Sequence, residues 1–321
     1  MVTATRAQAA GGTRDDRTRR IGVLLMAYGT PSHPDEVEAY YTDIRRGRPP
    51  TAEQLADLVR RYDAIGGISP LAERTEAQRR ALQEALERLE PGRYEVVLGL
   101  KHAHPKIEAG VATLAERGVS SIVALVLAPH YSVMSVGDYV ERARAAAGSH
   151  GLDVHEVRHW HLDPAYLAFL ARAVTDGLGA LPEQTKVLFT AHSLPSRILA
   201  MGDPYPDELR ETAAAVADEV GLPPWSGWGV AWQSAGRTPE PWLGPELLAV
   251  IRDLAASEHG DGVLVCACGF VSDHLEVLYD LDIEAKAQAE SLGLAFGRTP
   301  CVNDDPVVMA SLARLVTTKG G

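Results

Sequence analysis

Short apolar segments alternate with longer amphipathic segments along almost the whole of this chain of 321 residues. Apolar runs that end at turn-forming residues are typical of buried strands, and Tyr28-Gly29-Thr30-Pro31 follows the first run in this way. Alternating strands and helices predict mainly parallel sheets covered by helices on both faces, which is an α/β fold. The predicted strands are Ile21–Ala27, 95–100, 121–128, 186–191, 227–232 and Gly262–Cys266, with 154–160 as a weaker candidate.

The amphipathic segments predict helices and, with the strands, two domains. Leucines and alanines recur on one helix face over 82–89, and prolines suited to a first helical turn open the segments 105–117, 164–178 and 206–220. About eight strands are too many for one small sheet, and a chain of this length suggests about two domains. We therefore predict one domain over 21–160 and another over 161–303, with a final helix at 304–318 that joins the first. Residues 1–20 are expected to form a disordered tail.

Composition excludes several classes of function. Lys and Arg number 31 against 43 Asp and Glu, so the net charge is −12 and general nucleic-acid binding is not expected. No apolar run is long enough to cross a membrane, and the N-terminal residues lack the apolar centre of a signal peptide. The three cysteines, Cys266, Cys268 and Cys301, are too few for a disulfide framework and fit a reducing cytoplasm. We expect a cytoplasmic monomer without stable membrane insertion.

Polar residues follow the predicted strands, where α/β proteins bind their ligands. They are Tyr28, Lys101-His102, His130, His192-Ser193, Gln233 and Gly269-Phe270. His192 stands out because an imidazole there could be a metal ligand or a proton acceptor near neutral pH. The alternative is a structural histidine that bonds a loop carbonyl, and the sequence leaves both open.

Three acidic residues lie four positions apart in an apolar segment. Glu276, Asp280 and Glu284 would line one side of a helix, where like charges repel. A solvated acidic face and a row that attracts a cation are both open interpretations. His192 and Glu276 together offer nitrogen and oxygen ligands suited to Fe(II) or Zn(II). Two protein ligands would hold the ion weakly, which suits an ion that the protein transfers to another molecule.

Two short segments of the chain are rich in arginine. Arg45-Arg46-Gly47-Arg48 and Arg60-Arg61-Tyr62 each follow a helical segment. Guanidinium groups pair well with carboxylates and phosphates, so these clusters suggest an anionic ligand, although helix-end charges that face water are the alternative.

From about Ile21 to the C-terminus, the chain resembles the ferrochelatases. The resemblance implies an α/β fold of two Rossmann-like domains with parallel sheets flanked by helices and a porphyrin cleft between them. It also implies insertion of Fe2+ into a porphyrin. The segments that carry the resemblance are Met-Ala-Tyr-Gly-Thr-Pro at 26–31, Tyr-Tyr-Thr-Asp-Ile-Arg-Arg-Gly at 40–47, Arg-Tyr-Asp-Ala-Ile-Gly-Gly-Ile-Ser-Pro-Leu at 61–71, Gly-Leu-Lys-His at 99–102, Ala-His-Ser-Leu-Pro at 191–195, Gly-Asp-Pro-Tyr-Pro at 202–206, Trp-Gln-Ser at 232–234, Pro-Trp-Leu-Gly-Pro at 241–245 and the segment 269–280.

The resemblance also implies roles for individual residues. His192 and Glu276 match the catalytic pair at the metal, and Asp280 and Glu284 match an outer metal site. The Tyr at position 28 matches the Gram-positive branch that uses coproporphyrin III, in which it can ligate the product iron. The residues implied to line the porphyrin site are Tyr28, Arg45, Arg61, Tyr62, Ser69 and Tyr139.

Two further expectations concern cofactors and rival functions. Some relatives carry a [2Fe–2S] cluster held partly by a cysteine-containing C-terminal extension. This chain stops at Gly321, so we expect no cluster and no other cofactor, with Fe2+ as a substrate in haem synthesis. A cobalt chelatase of similar fold and a non-enzymatic porphyrin carrier are the rival interpretations.

Overall fold

Two four-stranded parallel sheets form the centre of the protein. A computed structural model describes residues 19–224, 226–236 and 238–320, so the predicted tail lies outside the described residues except for its last two. The strands of the first sheet are β1 (Ile21–Ala27), β2 (Tyr94–Leu100), β3 (Ser121–Val126) and β4 (Asp153–Val157). Those of the second are β5 (Thr185–His192), β6 (Trp228–Gln233), β7 (Gly262–Cys266) and β8 (Ala295–Arg298).

The two sheets share one strand order. The first runs β2-β1-β3-β4 and the second β6-β5-β7-β8, so the same order occurs once in each half. In a doubly wound sheet, ligands bind beyond the carboxyl ends of the strands where the order reverses, which here means beside β1 and β5. Tyr28 follows β1 and His192 ends β5. Topology therefore places these two predicted site residues at equivalent points of the two halves.

Helices cover the faces of both sheets. In the first half they are α1 (Val37–Ile44), α2 (Ala52–Ala64), α3 (Leu71–Leu89), α4 (Ile107–Glu116) and α5 (Val136–Gly148). They continue with α6 (Pro164–Gly179), α7 (Arg197–Ala200), α8 (Tyr205–Val220), α9 (Leu247–Ser257), α10 (Leu275–Leu278), α11 (Lys286–Ser291) and α12 (Pro306–Gly320). A 3-10 turn at Pro34–Glu36 and a π-helix at Asp280–Ala285 complete the described helical segments. None of the helices among the described residues is both long and apolar enough to cross a membrane.

Several sequence predictions of elements differ from the structure. The helix predicted from Pro105 begins at Ile107, because Lys106 keeps an extended backbone. The weak strand candidate ends at Val157, and the Trp160 backbone N–H instead donates to the Pro129 carbonyl at 3.0 Å. Sequence analysis missed β8, whose residues are all only half-buried and so form no strong apolar run.

One hydrophobic core joins the two halves. Leu25 of β1 and Phe189 of β5 belong to the same buried cluster. Trp160, on the crossover between the halves, packs edge-on against Tyr166 of α6 with 5.1 Å between ring centroids. The last helix, α12, packs mainly against α3 of the first half, and it also contacts β3 and β4 there and α6 of the second half.

The chain passes very close to the end of β5 at Gly269. The Gly269 N–H donates to the Thr190 carbonyl at 2.9 Å. A Cβ at position 269 would lie 2.3 Å from the Cβ of Ala191, closer than any real contact. Glycine therefore lets the segment after β7 lie directly beside His192, the last residue of β5.

We predict that Gly269→Ala destabilises the protein by about 1–3 kcal/mol, because the added methyl group overpacks against the Ala191 backbone. Gly148→Ala is the matched control, since no heavy atom lies within 4 Å of its built Cβ. The control should be neutral or stabilised by up to about 1 kcal/mol, the difference in helix propensity. Urea unfolding midpoints test this, and equal midpoints for the two variants would contradict it.

Candidate metal and porphyrin site

His192 presents one ring nitrogen to Glu276. Its Nδ1–H donates to the Ser193 carbonyl, which leaves Nε2 as the atom that faces outward. Nε2 lies 3.6 Å from Oε1 of Glu276, and the His192 side chain keeps 34% of its surface exposed. A neutral imidazole held in this tautomer has its lone pair on Nε2, where it can accept a proton or bind a metal.

Glu276 lies between two imidazoles, of which sequence analysis proposed only His192. His274 Nε2 lies 3.7 Å from Glu276 Oε2, and its Nδ1–H donates to the Ser272 carbonyl at 2.9 Å. The missed signal was the His-x-Glu spacing of His274 and Glu276, which are separated by one residue in the turn that starts α10. Two imidazole nitrogens and a carboxylate thus converge, a donor set that suits Fe(II) or Zn(II).

The charges of this pair are strongly coupled. Burial opposes a charged imidazole, but the Glu276 carboxylate outweighs it and raises the pKa of His192 to about 9. Burial likewise opposes the charged carboxylate, yet His192 and His274 hold the pKa of Glu276 well below its ordinary value. Without a metal ion, an imidazolium and a carboxylate therefore face each other. A divalent cation that binds both groups must displace the proton from His192.

Gln233 fixes the Glu276 backbone relative to β5. Its side-chain NH2 donates to the Glu276 carbonyl at 3.1 Å, and its side-chain oxygen accepts from the Thr190 hydroxyl at 2.8 Å. Gln233 is buried at the end of β6. The sequence marked it only as a polar residue after a strand; the structure makes it a positioning residue for the pair.

The acidic row does not lie on one continuous α-helix, so that expectation was wrong. α10 ends at Leu278 and the π-helix follows, with the Glu284 N–H bonded to the Tyr279 carbonyl five residues earlier at 3.0 Å. The three acids also differ in exposure: Glu276 is half-exposed, Asp280 is 7% exposed and Glu284 is exposed. These differences in exposure exclude the interpretation of the three acids as an evenly solvated acidic face.

Asp280 has its own cationic partner from the first half of the chain. Arg61 of α2 forms an ion pair with Asp280 and lies over the Tyr279 ring at 4.5 Å. The Ser234 hydroxyl donates to the other carboxylate oxygen. Burial raises the pKa of Asp280 to about 6, Arg61 opposes this rise, and the Glu276 and Glu284 charges add to it. Arg61, which the resemblance places at the porphyrin site, is therefore paired with an acid that the resemblance places at the outer metal site.

The predicted porphyrin-site tyrosines Tyr62 and Tyr139 both interact electrostatically with Tyr28, and the Glu276 charge acts on Tyr28 and Tyr62. Tyr28 is 44% exposed, and its ring lies 4.6 Å from the His102 ring. Removal from solvent, then the Glu276 charge, raises the pKa of Tyr28, and the same two causes raise that of Tyr62. Tyr139 is buried beneath the Lys101 ammonium group, 5.0 Å from its ring centre, and Tyr28 contributes to the raised pKa of Tyr139. The structure thus brings all three tyrosines into one neighbourhood.

The other two predicted residues make local contacts. Arg45 follows α1, donates to the Arg48 carbonyl at 3.2 Å and lies over the Tyr41 ring at 5.6 Å. Ser69 is buried, and its hydroxyl accepts from the Leu71 N–H at 3.3 Å at the start of α3. Among the described residues, the hydrogen bonds and ion pairs of His192 and Glu276 do not include Arg45 or Ser69.

The fold and the paired site define an α/β protein with the chelatase fold. A structure of SirB from Bacillus subtilis with Fe3+ has a TM-score of 0.58 at 12% identity and covers 94% of this chain and 96% of that chain. A structure of CbiX, described as the terminal enzyme for biosynthesis of siroheme in denitrifying bacteria, has a TM-score of 0.52 at 14% identity, with 94% and 99% covered. At this identity, the likeness concerns the fold alone.

Sequence comparison identifies the family. The ferrochelatase family model matches residues 20–320. The coproporphyrin III ferrochelatase of Geobacillus kaustophilus is 43% identical over 301 residues, 92% of this chain and 94% of that protein. The enzyme of the same name from Bacillus subtilis is 40% identical over 309 residues, with 94% and 99% covered. A protein named ferrochelatase from Herpetosiphon aurantiacus is 43% identical over 305 residues, with 93% and 98% covered. The chain belongs to the ferrochelatase family.

We predict that Glu276→Gln lowers the pKa of His192 from about 9 towards its ordinary value of about 6.5. The amide cannot stabilise the imidazolium, so burial then favours the neutral ring. NMR titration of the histidine ring signals in the metal-free protein measures this. Glu284→Gln is the control because Glu284 is exposed at the far end of the row. A His192 pKa that stays near 9 in Glu276→Gln would contradict the assigned coupling.

Proposed function

We propose that this protein inserts Fe2+ into coproporphyrin III as a step of haem synthesis. The observation that carries the proposal is the His192–Glu276 pair, whose Nε2 and Oε1 lie 3.6 Å apart at the carboxyl end of β5. The names of its relatives from Geobacillus kaustophilus and Bacillus subtilis support the choice of porphyrin.

In the proposed reaction, the pair handles protons and metal. Entry of a divalent ion into a porphyrin releases two pyrrole protons, so the site needs an acceptor. His192 is suited to this role once the entering cation has displaced its Nε2 proton, because its Nδ1–H is engaged by the Ser193 carbonyl and Nε2 is then free to accept a proton. Glu276 stabilises the imidazolium that forms. The same two atoms can also bind the entering Fe2+.

The porphyrin is proposed to lie against Tyr28, Tyr62 and Tyr139. Tyr28 is 44% exposed, and we assign its phenol oxygen as a ligand of iron in the product. Coproporphyrin III carries four propionates, to which we assign Arg45 and hydroxyl groups such as that of Ser69. Arg61 can meet a propionate only if it shares its guanidinium with Asp280.

The acidic row is proposed as the route by which Fe2+ reaches the pair. Glu284 is exposed, Asp280 is buried behind it, and Glu276 contacts His192. These differences in exposure support the proposal that the three carboxylates bind Fe2+ in turn between the surface and the reactive nitrogen. Arg61 offsets part of their mutual repulsion when no cation is present.

The proposal treats Fe2+ as a substrate and requires no resident cofactor, nucleic acid or membrane insertion. Cys266, Cys268 and Cys301 are free and buried, and they take no part in it. We further propose that the protein works as a monomer in the cytoplasm, where thiols stay reduced.

We predict that the protein inserts Fe2+ anaerobically into coproporphyrin III faster than into protoporphyrin IX.

His192→Ala should reduce insertion at least about 100-fold, because general acid–base groups contribute about that factor or more. Circular dichroism checks that the variant is folded. A parallel assay with Co2+ tests cobalt insertion as the rival reaction. Near-normal turnover in folded His192→Ala would contradict the role of the pair. Porphyrin binding without turnover would favour a carrier.

We predict that Glu284→Gln raises the Fe2+ concentration needed for half-maximal rate by about twofold to fivefold, the factor for loss of up to about 1 kcal/mol from an exposed charge. Asp280→Asn should raise it further and also lower stability, because Arg61 loses its partner. Steady-state kinetics at saturating porphyrin measures this. Glu290→Gln, an exposed acid on α11, is the control and should not differ from the wild type. An unchanged iron requirement in the Asp280→Asn, Glu284→Gln double variant would refute the route.

A further inference from the structure

A second group of metal-ligating side chains lies where the chain crosses between its two halves. His159 and His161 belong to the crossover segment after β4, and Glu208 lies in the first turns of α8. One ligand atom from each residue can be chosen so that all three atoms lie within 4.8 Å of one another. His192 and Glu276 contribute nothing to this group, so it is a separate cluster.

His161 and Glu208 are buried, and one ring nitrogen of His161 has no hydrogen-bond partner among the described residues. His161 is 4% exposed and Glu208 is 5% exposed. Nδ1 of His161 is buried and makes no hydrogen bond within the described residues; it faces Glu208 Oε2 at 3.5 Å. A buried ring nitrogen without a partner is costly unless something else binds it.

Neighbouring groups already hold the ligands as they are held in metal sites. On the far side of the His161 ring, Nε2 lies 2.8 Å from Oε2 of Glu211, so its N–H can donate to that carboxylate. The Tyr131 backbone N–H donates to Glu208 Oε2 at 2.6 Å. A histidine that ligates a metal usually gives its other N–H to a carboxylate or carbonyl, which fixes its tautomer and directs its lone pair to the metal. In that tautomer, the lone pair of His161 lies on the unpartnered Nδ1.

We propose that His159, His161 and Glu208 form a second site for a divalent cation of the Zn2+ class, distinct from the site of iron insertion. The ligand atoms are Nδ1 of each histidine and the Glu208 carboxylate. Nitrogen and oxygen ligands at about 2.0–2.2 Å in a tetrahedron lie about 3.4 Å apart, which matches the 3.5 Å between His161 and Glu208. The 2.7 Å contact of His159 with Glu208 would open slightly as the ion replaces its proton.

The ion has a path to the site and an open coordination position. The His159 side chain is 49% exposed, so one edge of the cluster faces solvent. Three protein ligands leave the fourth position to water. A cation here would link the crossover segment to α8 and so fasten the two halves to each other. Binding to the native state alone would raise the unfolding temperature with metal concentration.

Zn2+ titration of a variant without the iron site tests the proposal. In full-length His192→Ala, Glu276→Ala, isothermal titration should find one Zn2+ per chain, and Zn2+ should raise the melting temperature. Co2+ should give the visible ligand-field bands of a tetrahedral site. Adding His159→Ala should remove all three signals, and His159 is exposed enough for that variant to fold. Glu211→Gln should weaken Zn2+ binding about 10–100-fold, the usual effect of losing a partner behind a metal ligand.

His150→Ala in the same background is the control, because His150 is exposed on the connection before β4 and belongs to no cluster. It should keep the Zn2+ stoichiometry and the Co2+ bands. Absence of Zn2+ binding in the double variant would overturn the proposal. So would binding that persists after His159→Ala. Either result leaves the iron-insertion proposal intact, because that proposal is tested by porphyrin turnover in the protein with its native His192.

Discussion

The pairing of His192 with Glu276 depends on how closely the chain after β7 can pass the end of β5. Gly269 makes this passage possible, since its backbone bonds to Thr190 and leaves no room for a side chain. Gln233 then joins the same Thr190 to the Glu276 backbone. Backbone and side-chain amide hydrogen bonds thereby fix the ends of three strands and one turn relative to one another. Groups that take no part in the chemistry therefore fix the positions of the reactive side chains of His192 and Glu276.

Sequence reasoning located the parts of the fold that depend on local pattern. β1 was predictable because it is a fully apolar run, and β5 because its centre, Val-Leu-Phe at 187–189, is apolar. The strand-end rule then pointed to Tyr28 and His192. The ion pair of Arg61 with Asp280 was not predictable, because its members lie 219 residues apart and no local pattern encodes their contact. The π-helix was also missed, since the spacing of its acids fits an α-helix equally well.

The charges of the site are arranged so that each buried carboxylate has a different kind of partner. Glu276 faces imidazoles, which release a proton when a cation arrives, whereas Asp280 faces a guanidinium, which cannot. An incoming cation can therefore displace a proton at Glu276 but must compete with a permanent charge at Asp280. On the proposed iron route, we infer from this difference that the inner position binds the cation more strongly and the outer position holds it only transiently.

The two proposed metal positions are connected by the first turn of α8. The Tyr205 hydroxyl donates to the His192 carbonyl at 3.0 Å, while Glu208, one turn further, belongs to the second cluster. Asp203, just before the helix, accepts the Val133 N–H at 2.8 Å, and Glu208 accepts that of Tyr131, so α8 is bound to the loop after β3 at two points. Any change in how the halves meet must move this turn, and with it the carbonyl that adjoins the reactive histidine. The geometry of the proposed iron site thus depends partly on contacts between the halves, where the second cluster lies.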